Sequence, residues 1–585
     1  MAARRHFTIL LLMLHFLTAS PAPVDDLVIT TETGKVQGKT VSVLDGEVRA
    51  FLGIPFGKPP VGELRFRAPE PAEAWEGVKD ATEFGNSCYQ MKDVIYPGFK
   101  GAVMWDPNTL VSEDCLYLNV WTPTVDKTNP PLPVMVWIYG GGFTGGTASL
   151  DLYDGRFLTQ TENVIVVSMN YRIGAFGFLS LPDNKNVPGN AGLKDQQLAL
   201  KWVSKNIAAF GGDPSQVTIF GESAGSGSVG FQVLSPGSQE YFQRAIMESG
   251  APNAPWGTMS HEENWARAAR LAKNVGCSTD PAEMEACLQK ASADDILLQQ
   301  FYVFTKASIL GSPFVPVVDG DFVPELPADM LNKGHLPKKD ILMGLNRDEG
   351  TYFLLYGAPG FNITGESLIS RDQYMQGVTI SMPDASDVSR ATAIFQYTDW
   401  ADENNSMKNR DFLAGVVGGK YFFCPVLEFA QKYSYHGGNL YFYFFEHRST
   451  INPWPEWMGV MHGYEIEFVF GMPLIPSLGY QEEELAMSKR MIKHWTNFAK
   501  TGNPGIEGVE WPLHSADEQE YLTLSVNPSE KKKMLKAHEC HLWTKLLPNV
   551  QGVSDDLQAC VNANWIIRCD YKFLLILLVT VFLLY

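Results

Sequence analysis

The chain is poor in positive charge for its size. Its 585 residues carry 46 Lys and Arg against 65 Asp and Glu, which gives a formal net charge of −19 and a pI of about 5.1. Because nucleic-acid binding needs a basic surface, this balance excludes nucleic acid as an expected partner. A charge of this sign usually means a solvated acidic surface. A field that attracts a cationic substrate would need support from a specific site.

The sequence also has no apolar run at either end that is long enough to span a membrane. A spanning helix needs about 20 residues, whereas the runs at 7–17 and 573–584 are shorter. Two arginines precede the first run and small residues follow it, which predicts a secretory signal peptide over 1–20. The second run follows small residues at 562–564 and a short spacer, the order of a glycolipid (GPI) anchor signal. We therefore expect residues 563–585 to be removed and the protein to be held on the outer face of the cell membrane, or secreted.

A linker is absent as well. Strand-like and helix-like segments alternate from residue 21 to residue 546 without a break rich in Pro, Gly, Ser or charge. Length alone would suggest several domains, but this continuity favours a single large α/β domain. Residues 547–562 are expected to form a C-terminal peptide.

Cysteine is scarce, but the eight cysteines of a secreted chain predict a disulfide framework. Six of these cysteines bracket loops in pairs: Cys88 and Cys115, Cys277 and Cys287, and Cys424 and Cys540. The spacing alone does not fix which cysteines are bonded to each other. Loss of the anchor signal would remove Cys569 and leave Cys560 unpaired, so we expect Cys560 to join two copies in a disulfide-linked homodimer. Asn362 and Asn404 each begin an N-glycosylation motif, as is typical of secreted chains.

The most informative motif is Gly221-Glu222-Ser223-Ala224-Gly225, directly after the β-branched run 216–220. It has the pattern G-x-S-x-G of a nucleophile elbow, in which a strand ends in a strained turn that exposes a serine at a helix N-terminus. The two glycines allow the strand and the helix to pass closely. A surface turn is the alternative, but the strand before the motif and the small residues after it favour a serine hydrolase of the α/β-hydrolase fold, with a large, mostly parallel central sheet flanked by helices.

An elbow serine needs donors for the oxyanion that forms during attack. A strand over 133–139 runs into Gly140-Gly141-Gly142-Phe143, where consecutive glycines leave backbone N–H groups free to point at the reacting carbonyl. The sequence therefore predicts an oxyanion hole made by the N–H groups of Gly141, Gly142 and Ala224.

The acid and the base are expected downstream of the serine, in that order. Spacing leaves Asp348 and Glu349 as equivalent candidates for the acid, since both follow a predicted strand over 339–344. Seven histidines lie downstream, and a glycine-flanked turn in an aromatic region favours His462 among them: His436, His447, His462, His494, His514, His538 and His541.

Residues 112–121, Ser-Glu-Asp-Cys-Leu-Tyr-Leu-Asn-Val-Trp, together with the elbow, closely resemble the type-B carboxylesterases. The resemblance covers about residues 27 to 546. It implies that Glu349, in the family's acid-Glu-Gly motif, is the acid and that His462, in its His-Gly-Tyr-Glu motif, is the base. The implied catalytic triad is then Ser223, His462 and Glu349.

Within that family the sequence is most similar to the cholinesterases. The resemblance implies that Trp105 and Tyr352 hold a quaternary ammonium by their π faces, with Glu222 as nearby negative charge. It also places Asp93 and Tyr356 at the mouth of a gorge. Met91 and Thr144 depart from the tyrosines of vertebrate acetylcholinesterases, and without the resemblance Trp105 and Tyr352 would be interpreted as core aromatics.

The same resemblance implies an acyl pocket lined by Trp256, Leu310, Ser312 and Phe353. Leu310 and Ser312 stand where acetylcholinesterases carry phenylalanines, so we expect a choline esterase that hydrolyses acetylcholine and also accepts butyrylcholine. No cofactor and no metal are expected. The alternatives are a general carboxylesterase or lipase without a cation site, and a non-catalytic adhesion protein like the neuroligins, which typically lack the serine.

Overall fold

The computed structural model describes residues 27–124, 130–181, 184–334 and 336–562, with the side chains of 560–562 excepted. The expected signal peptide, the anchor signal and the side chain of Cys560 lie outside the described residues.

Within the described residues, sixteen β-strands form three sheets. In chain order they are β1 (Val28–Thr30), β2 (Lys35–Gln37), β3 (Lys39–Val43), β4 (Gly46–Pro55), β5 (Val78–Asp80), β6 (Ser87–Cys88), β7 (Val111–Ser112), β8 (Tyr117–Pro123), β9 (Leu132–Ile138), β10 (Ile165–Met169), β11 (Gly212–Glu222), β12 (Arg244–Glu248), β13 (Asp340–Asn346), β14 (Leu440–Phe445), β15 (Glu520–Leu524) and β16 (Lys531–Lys533).

The central sheet has eleven strands in the order β16-β15-β14-β13-β12-β11-β9-β10-β8-β4-β3. Its six inner pairings, from β15 to β10, are parallel, whereas the strands at both edges pair antiparallel. The inner strands are nearly continuous apolar runs, because both faces of a parallel sheet are covered. The prediction of a large, mostly parallel sheet flanked by helices is confirmed.

In the part of the chain that the structure describes, eighteen α-helices surround the sheets: α1 (Lys100–Val103), α2 (Arg156–Glu162), α3 (Gly174–Phe178), α4 (Ala191–Asn206), α5 (Ala224–Leu234), α6 (His261–Asn274), α7 (Pro281–Lys290), α8 (Ala293–Gln299), α9 (Pro327–Lys333), α10 (Thr351–Gly357), α11 (Arg371–Ser381), α12 (Asp387–Gln396), α13 (Ser406–Gly418), α14 (Cys424–Tyr435), α15 (Ile466–Val469), α16 (Glu482–Thr501), α17 (Ala537–His541) and α18 (Leu547–Asn562). Helices α4 and α5 pack together on β11, α16 packs on β9 and β11, and α2 packs beside α16 on β3, β4, β8 and β10. Two π-helical turns, Gly419–Phe423 and Leu542–Leu546, join α13 to α14 and α17 to α18.

Helical segment Ser406–Tyr435 is long and apolar enough to cross a membrane, but 72% of its most apolar stretch is buried inside the protein. That burial is typical of a core helix. It supplies one wall of the site described below.

Among the described side chains, three disulfides join the bracketing cysteines in sequence order, Cys88–Cys115, Cys277–Cys287 and Cys424–Cys540. The first closes a 27-residue loop that carries Trp105, so the position of this indole is tied to the edge of β8. Closing a loop in this way limits the freedom of the unfolded chain.

The expected boundary at residue 546 falls inside a continuous helical segment. Leu547 is buried, and the side chain of Gln551 accepts hydrogen bonds from the N–H of Ser386 and the hydroxyl of Ser389, at 2.8 and 2.9 Å. The start of the C-terminal peptide is therefore packed on α12, because its apolar and amide side chains have partners there.

Candidate active site

The Ser223 backbone lies in a strained conformation between β11 and α5, with φ 58° and ψ −122°. Such a conformation is costly for a residue with a Cβ and persists only where its surroundings enforce it. Here the N–H of Ser223 donates to the carbonyl of Glu248 on the next strand, at 2.8 Å. A Cβ at Gly221 or Gly225 would run into the carbonyl of Ile138, so glycine is required at both positions. The predicted elbow therefore lifts the serine above the end of the sheet.

Glu349 meets His462 across the end of β13. Its Oε2 lies 2.6 Å from His462 Nδ1, and its Oε1 accepts from the N–H of Asn346 at 2.7 Å. The other candidate acid, Asp348, instead accepts from the N–H of Val460 at 2.7 Å and pairs with Arg347. Geometry thus distinguishes two neighbours that sequence spacing left equivalent.

The opposite edge of the imidazole faces the elbow. His462 Nε2 is buried, has no hydrogen-bond partner among the described residues, and lies 3.1 Å from Glu222 Oε1. Phe353 and Phe422 flank the ring, with centroids 5.2 and 4.5 Å from it. Nε2 is therefore free to take a proton, since hydrogen bonds to the nucleophile often form only in the reacting complex.

The glycine loop after β9 passes directly over the nucleophile. A Cβ built on Gly140 would lie 2.9 Å from Glu222 Oε2 and 3.0 Å from Ser223 Cβ. Gly141 and Gly142 both have positive φ, 103° and 61°, and neither N–H donates to another group of the described residues. The N–H of Ala224 begins α5, where the first backbone donors of a helix lack intrahelical partners. These three donors can serve an oxyanion at the elbow.

An unexpected contact supports this loop. The Ser312 hydroxyl donates to the carbonyl of Gly142 at 2.6 Å. Arg267 Nη1 in turn donates to the carbonyls of Ser312 and Pro313, at 2.8 and 3.0 Å. Ser312 was expected only as an acyl-pocket residue, and the structure also joins it to the predicted oxyanion hole.

Three further carboxyl groups are buried close to the imidazole. Burial raises the pKa of Glu222 and of Glu248, and neighbouring carboxylates raise both further. Burial first, and then the charges of Glu222 and Glu349, raises the pKa of Glu465 to about 8. These carboxyl groups cannot all be ionised together at little cost, so the site favours an added positive charge.

Trp105 and Glu222 converge beside the histidine. A Cβ built on Gly463 would lie 3.4 Å from the Trp105 ring and 3.5 Å from Glu222 Oε1. Tyr464 meets Trp105 edge to face, with ring centroids 6.3 Å apart. The Trp105 indole N–H is buried without a hydrogen-bond partner among the described residues. A π face and a carboxylate therefore border the same space one residue from His462.

A chain of hydroxyl groups joins Tyr352 to the acidic residue expected at the mouth. Tyr352 donates to the hydroxyl of Tyr356 at 3.3 Å, and Tyr356 donates to Asp93 at 2.8 Å. The Tyr352 ring also contacts Phe353 at 5.5 Å between centroids. Because Phe353 flanks His462, these aromatic residues connect the Asp93 region to the imidazole.

Two of the four expected acyl-pocket residues, Trp256 and Phe353, pack against Phe422, whose ring flanks the imidazole. Phe422 stacks on Phe353 at 5.0 Å and lies 6.1 Å from Trp256, measured between centroids. Trp256, Leu310 and Ser312 also line a cavity of about 740 Å³ that the three triad residues do not line. Unfilled space therefore adjoins the residues at which bulky phenylalanines are missing.

Sequence reasoning missed four residues of this site. Phe422 and Trp454 lie in aromatic-rich segments indistinguishable from core, and Trp454 contacts Tyr352 at 5.5 Å between ring centroids. Glu248 and Glu465 lie at the end of a strand and beside a short helix. A carboxyl at the end of an apolar strand was the available signal for Glu248.

Residues 25–543 match the sequence family described as the Carboxylesterase family. The chain belongs to the carboxylesterase family. Its relatives include the acetylcholinesterase of Bungarus fasciatus, 48% identical over 542 residues that cover 92% of this chain and 89% of the relative. The acetylcholinesterase of Danio rerio is 47% identical over 579 residues, covering 92% of this chain and 91% of that protein. The cholinesterase of Mus musculus is 48% identical over 556 residues, covering 94% and 92%.

The family match includes the strand–elbow–helix unit and the segments that carry Glu349 and His462. The predictions of an α/β-hydrolase fold and of a serine hydrolase are confirmed. Among the described residues, no group of three or more His, Cys, Asp or Glu side chains is arranged to hold a metal ion.

Proposed function

We propose that this carboxylesterase-family member hydrolyses choline esters through an acyl-Ser223 intermediate. The observation that carries the proposal is the convergence of the Trp105 ring and the Glu222 carboxylate at Gly463, directly beside His462. A quaternary ammonium has no N–H to donate, so a π face and a buried negative charge are the groups that recognise it. The full-length similarity to proteins named acetylcholinesterase and cholinesterase supports the same substrate class.

The reaction begins when Ser223 Oγ attacks the ester carbonyl and His462 Nε2 takes its proton. Glu349, bonded to Nδ1, fixes the imidazole tautomer and stabilises the imidazolium. The oxyanion accepts from the N–H groups of Gly141, Gly142 and Ala224. Collapse breaks the bond to choline, whose oxygen receives the proton from His462. A water molecule, activated by the same imidazole, then releases the carboxylic acid and restores Ser223.

The test of this assignment uses one single variant and one matched pair of variants. Ser223→Ala should abolish turnover of acetylthiocholine and labelling by a fluorophosphonate. Glu349→Gln should reduce kcat by about 10³-fold or more, as in triads that lose the residue fixing the histidine. The matched Asp348→Asn should retain most activity, because Asp348 binds the Val460 N–H and Arg347 and does not contact His462. Equal losses in Glu349→Gln and Asp348→Asn would contradict the triad.

We also propose that butyryl esters are accepted as well as acetyl esters. Leu310 and Ser312 leave room beside Trp256, and the adjoining cavity gives the wall space to move. An apolar pocket discriminates one methylene by only ~1–3 kcal/mol, so acceptance and not preference is expected. Leu310→Phe should selectively lower kcat/KM for butyrylthiocholine by about tenfold, because overpacking costs ~1–3 kcal/mol. Rejection of butyrylthiocholine by the wild-type enzyme would refute this alignment of the loop.

The location and assembly of the protein remain part of the proposal. We expect a glycolipid anchor, a dimer linked through Cys560, and glycans on Asn362 and Asn404, both of which are exposed. Release from cells by phosphatidylinositol-specific phospholipase C tests the anchor. Conversion from dimer to monomer in Cys560→Ser, seen on a non-reducing gel, tests the link.

A further inference from the structure

A second pocket lies behind the space bordered by Trp105. Its volume is about 280 Å³, and neither Trp105 nor the triad lines it. The lining residues used below carry carboxylate, aromatic or thioether groups: Met104, Asp106, Tyr464, Glu467, Met472 and Tyr480. Exposed Lys100 and Asn108 also line it, so the pocket is reached from the protein surface.

Glu467, on the short helix α15, supplies a buried charge to this pocket. Its residue exposure is 8%. Its Oε2 accepts from the Tyr480 hydroxyl at 2.5 Å, whereas its Oε1 is buried and has no hydrogen-bond partner among the described residues. A buried carboxylate with an unmatched oxygen is costly unless a positive group or a proton joins it.

Other groups around Glu467 compensate its charge only in part. Burial raises the pKa of the Glu467 carboxyl to about 7, and the negative charge of Glu484 raises it further. The hydroxyls of Tyr480 and Ser449 lower this pKa, and the positive charge of Lys100 lowers it by the smallest amount. The charged and titratable groups that face this carboxyl are Lys100, Tyr464, Tyr480 and Glu484, and the carboxylates of Asp106 and Asp151 also line the pocket. Glu467 is therefore poised to exchange its proton for a cation near neutral pH.

We propose that this pocket is a second binding site for small organic ammonium ions. Glu467 supplies the counter-charge, Tyr464 and Tyr480 supply π faces, and the thioethers of Met104 and Met472 supply polarisable surface. The volume is sufficient for a tetramethylammonium-sized cation. The site is distinct from the choline subsite and does not depend on the role proposed for Trp105.

Tyr464 forms a wall shared by the two sites. It meets Trp105 edge to face on one side, its hydroxyl contacts Met104 Sδ at 3.6 Å, and it lines the second pocket on the other. A cation in the second pocket therefore contacts the support of the Trp105 ring. We expect occupancy to alter turnover of choline esters without excluding them, which would add a non-competitive component to inhibition.

The test is calorimetric titration of the intact enzyme with tetramethylammonium at pH 7.5. Wild type should bind two equivalents of tetramethylammonium. Glu467→Gln should lower the affinity for one of them by about tenfold or more, because a charged hydrogen-bonding partner is lost. Trp105→Ala should lower the affinity for the other. Second-site affinity should rise from pH 6 to pH 8, and the proton released on binding should make the observed enthalpy depend on the ionisation enthalpy of the buffer. Glu467→Gln should keep wild-type kcat on a neutral ester, which verifies its fold.

Met472→Phe is a second variant, which fills the pocket without changing the carboxyl, and it should also remove one equivalent. Two unchanged equivalents in both Glu467→Gln and Met472→Phe would overturn the proposal, as would a single equivalent in wild type that Trp105→Ala removes. If Trp105→Ala leaves both equivalents intact while Glu467→Gln removes one, the role proposed for Trp105 fails and the second site stands.

Discussion

Removal of the Trp105 ring offers the most direct test of cation recognition. Trp105→Ala deletes a π face that borders the space next to Glu222 and Gly463. The indole N–H has no hydrogen-bond partner among the described residues, so truncation leaves no donor or acceptor unmatched. The loop also stays closed by Cys88–Cys115. The perturbation is therefore largely confined to the lost ring.

The magnitude follows from the environment of the ring. A desolvated cation–π contact is worth about 2 kcal/mol, which corresponds to a factor of about 30 in kcat/KM. A neutral ester of the same shape, 3,3-dimethylbutyl acetate, loses only the apolar contact with the indole. We expect kcat/KM for acetylcholine to fall about 30-fold further than kcat/KM for the neutral ester.

The assay measures kcat/KM for both esters with wild type and Trp105→Ala under identical salt, because surface charge also affects the encounter rate. Trp256→Ala is the matched aromatic control. Its ring packs against Phe422 and is proposed to contact the acyl group that both esters share, so both esters should lose similar factors. Equal losses on both esters in Trp105→Ala would identify the indole as a packing residue and refute the cation site.

Three other substitutions probe the surroundings of the triad. Ser312→Ala removes the hydroxyl that holds the Gly142 carbonyl, and a net loss of about 0.5–1.5 kcal/mol should lower kcat two- to tenfold for acetyl and butyryl esters alike; a change confined to butyryl esters would exclude this role. Gly463→Ala places a methyl group at φ +80° between Trp105 and Glu222, and KM for choline esters should rise more than KM for neutral esters. Glu465 has a pKa raised to about 8, so its contribution to the free energy of unfolding is present at low pH and is lost as the pH rises from about 4.5 to about 8. Glu465→Gln should therefore make the free energy of unfolding less dependent on pH over that range, by up to ~1.4 kcal/mol per pH unit for one proton. A thermal midpoint that keeps its wild-type dependence on pH would contradict that raised pKa.

The fold and the elbow were predictable because their signals are local. The run before Gly221 is β-branched, and only glycine avoids the Ile138 carbonyl at Gly221 and Gly225, so the constraint is written into adjacent residues. The same holds for positive φ at Gly141 and Gly142. Each feature depends on a few neighbouring positions, and sequence patterns report such features well.

The acid and the base could not be chosen from local sequence, because their roles depend on distant segments. Asp348 and Glu349 follow the same strand, and they differ only in that one meets loop backbone at Val460 and the other meets His462. Ser312 likewise touches Gly142, 170 positions away. Local context only favoured His462 among seven histidines, and it left Asp348 and Glu349 equivalent. The resemblance to a family, which carries long-range information, selected Glu349 and His462 before the structure did.

The buried carboxyl groups supply a physical reason for the proposed preference of this site for a cationic ester over a neutral one. Glu222, Glu248 and Glu465 all have raised pKa values, each through burial and the charge of neighbouring carboxylates. Protonating these carboxyl groups costs little free energy at acidic pH. Near neutral pH, a proton and a nearby cation compete to neutralise each carboxylate. A quaternary ammonium beside Glu222 supplies that charge and favours the ionised carboxylate. During acylation, the same carboxylate lies 3.1 Å from the Nε2 that becomes positive. Choline binding and imidazolium formation therefore both depend on the negative charge of Glu222. For this reason Glu222→Gln should impair charged substrates at both the binding step and the chemical step.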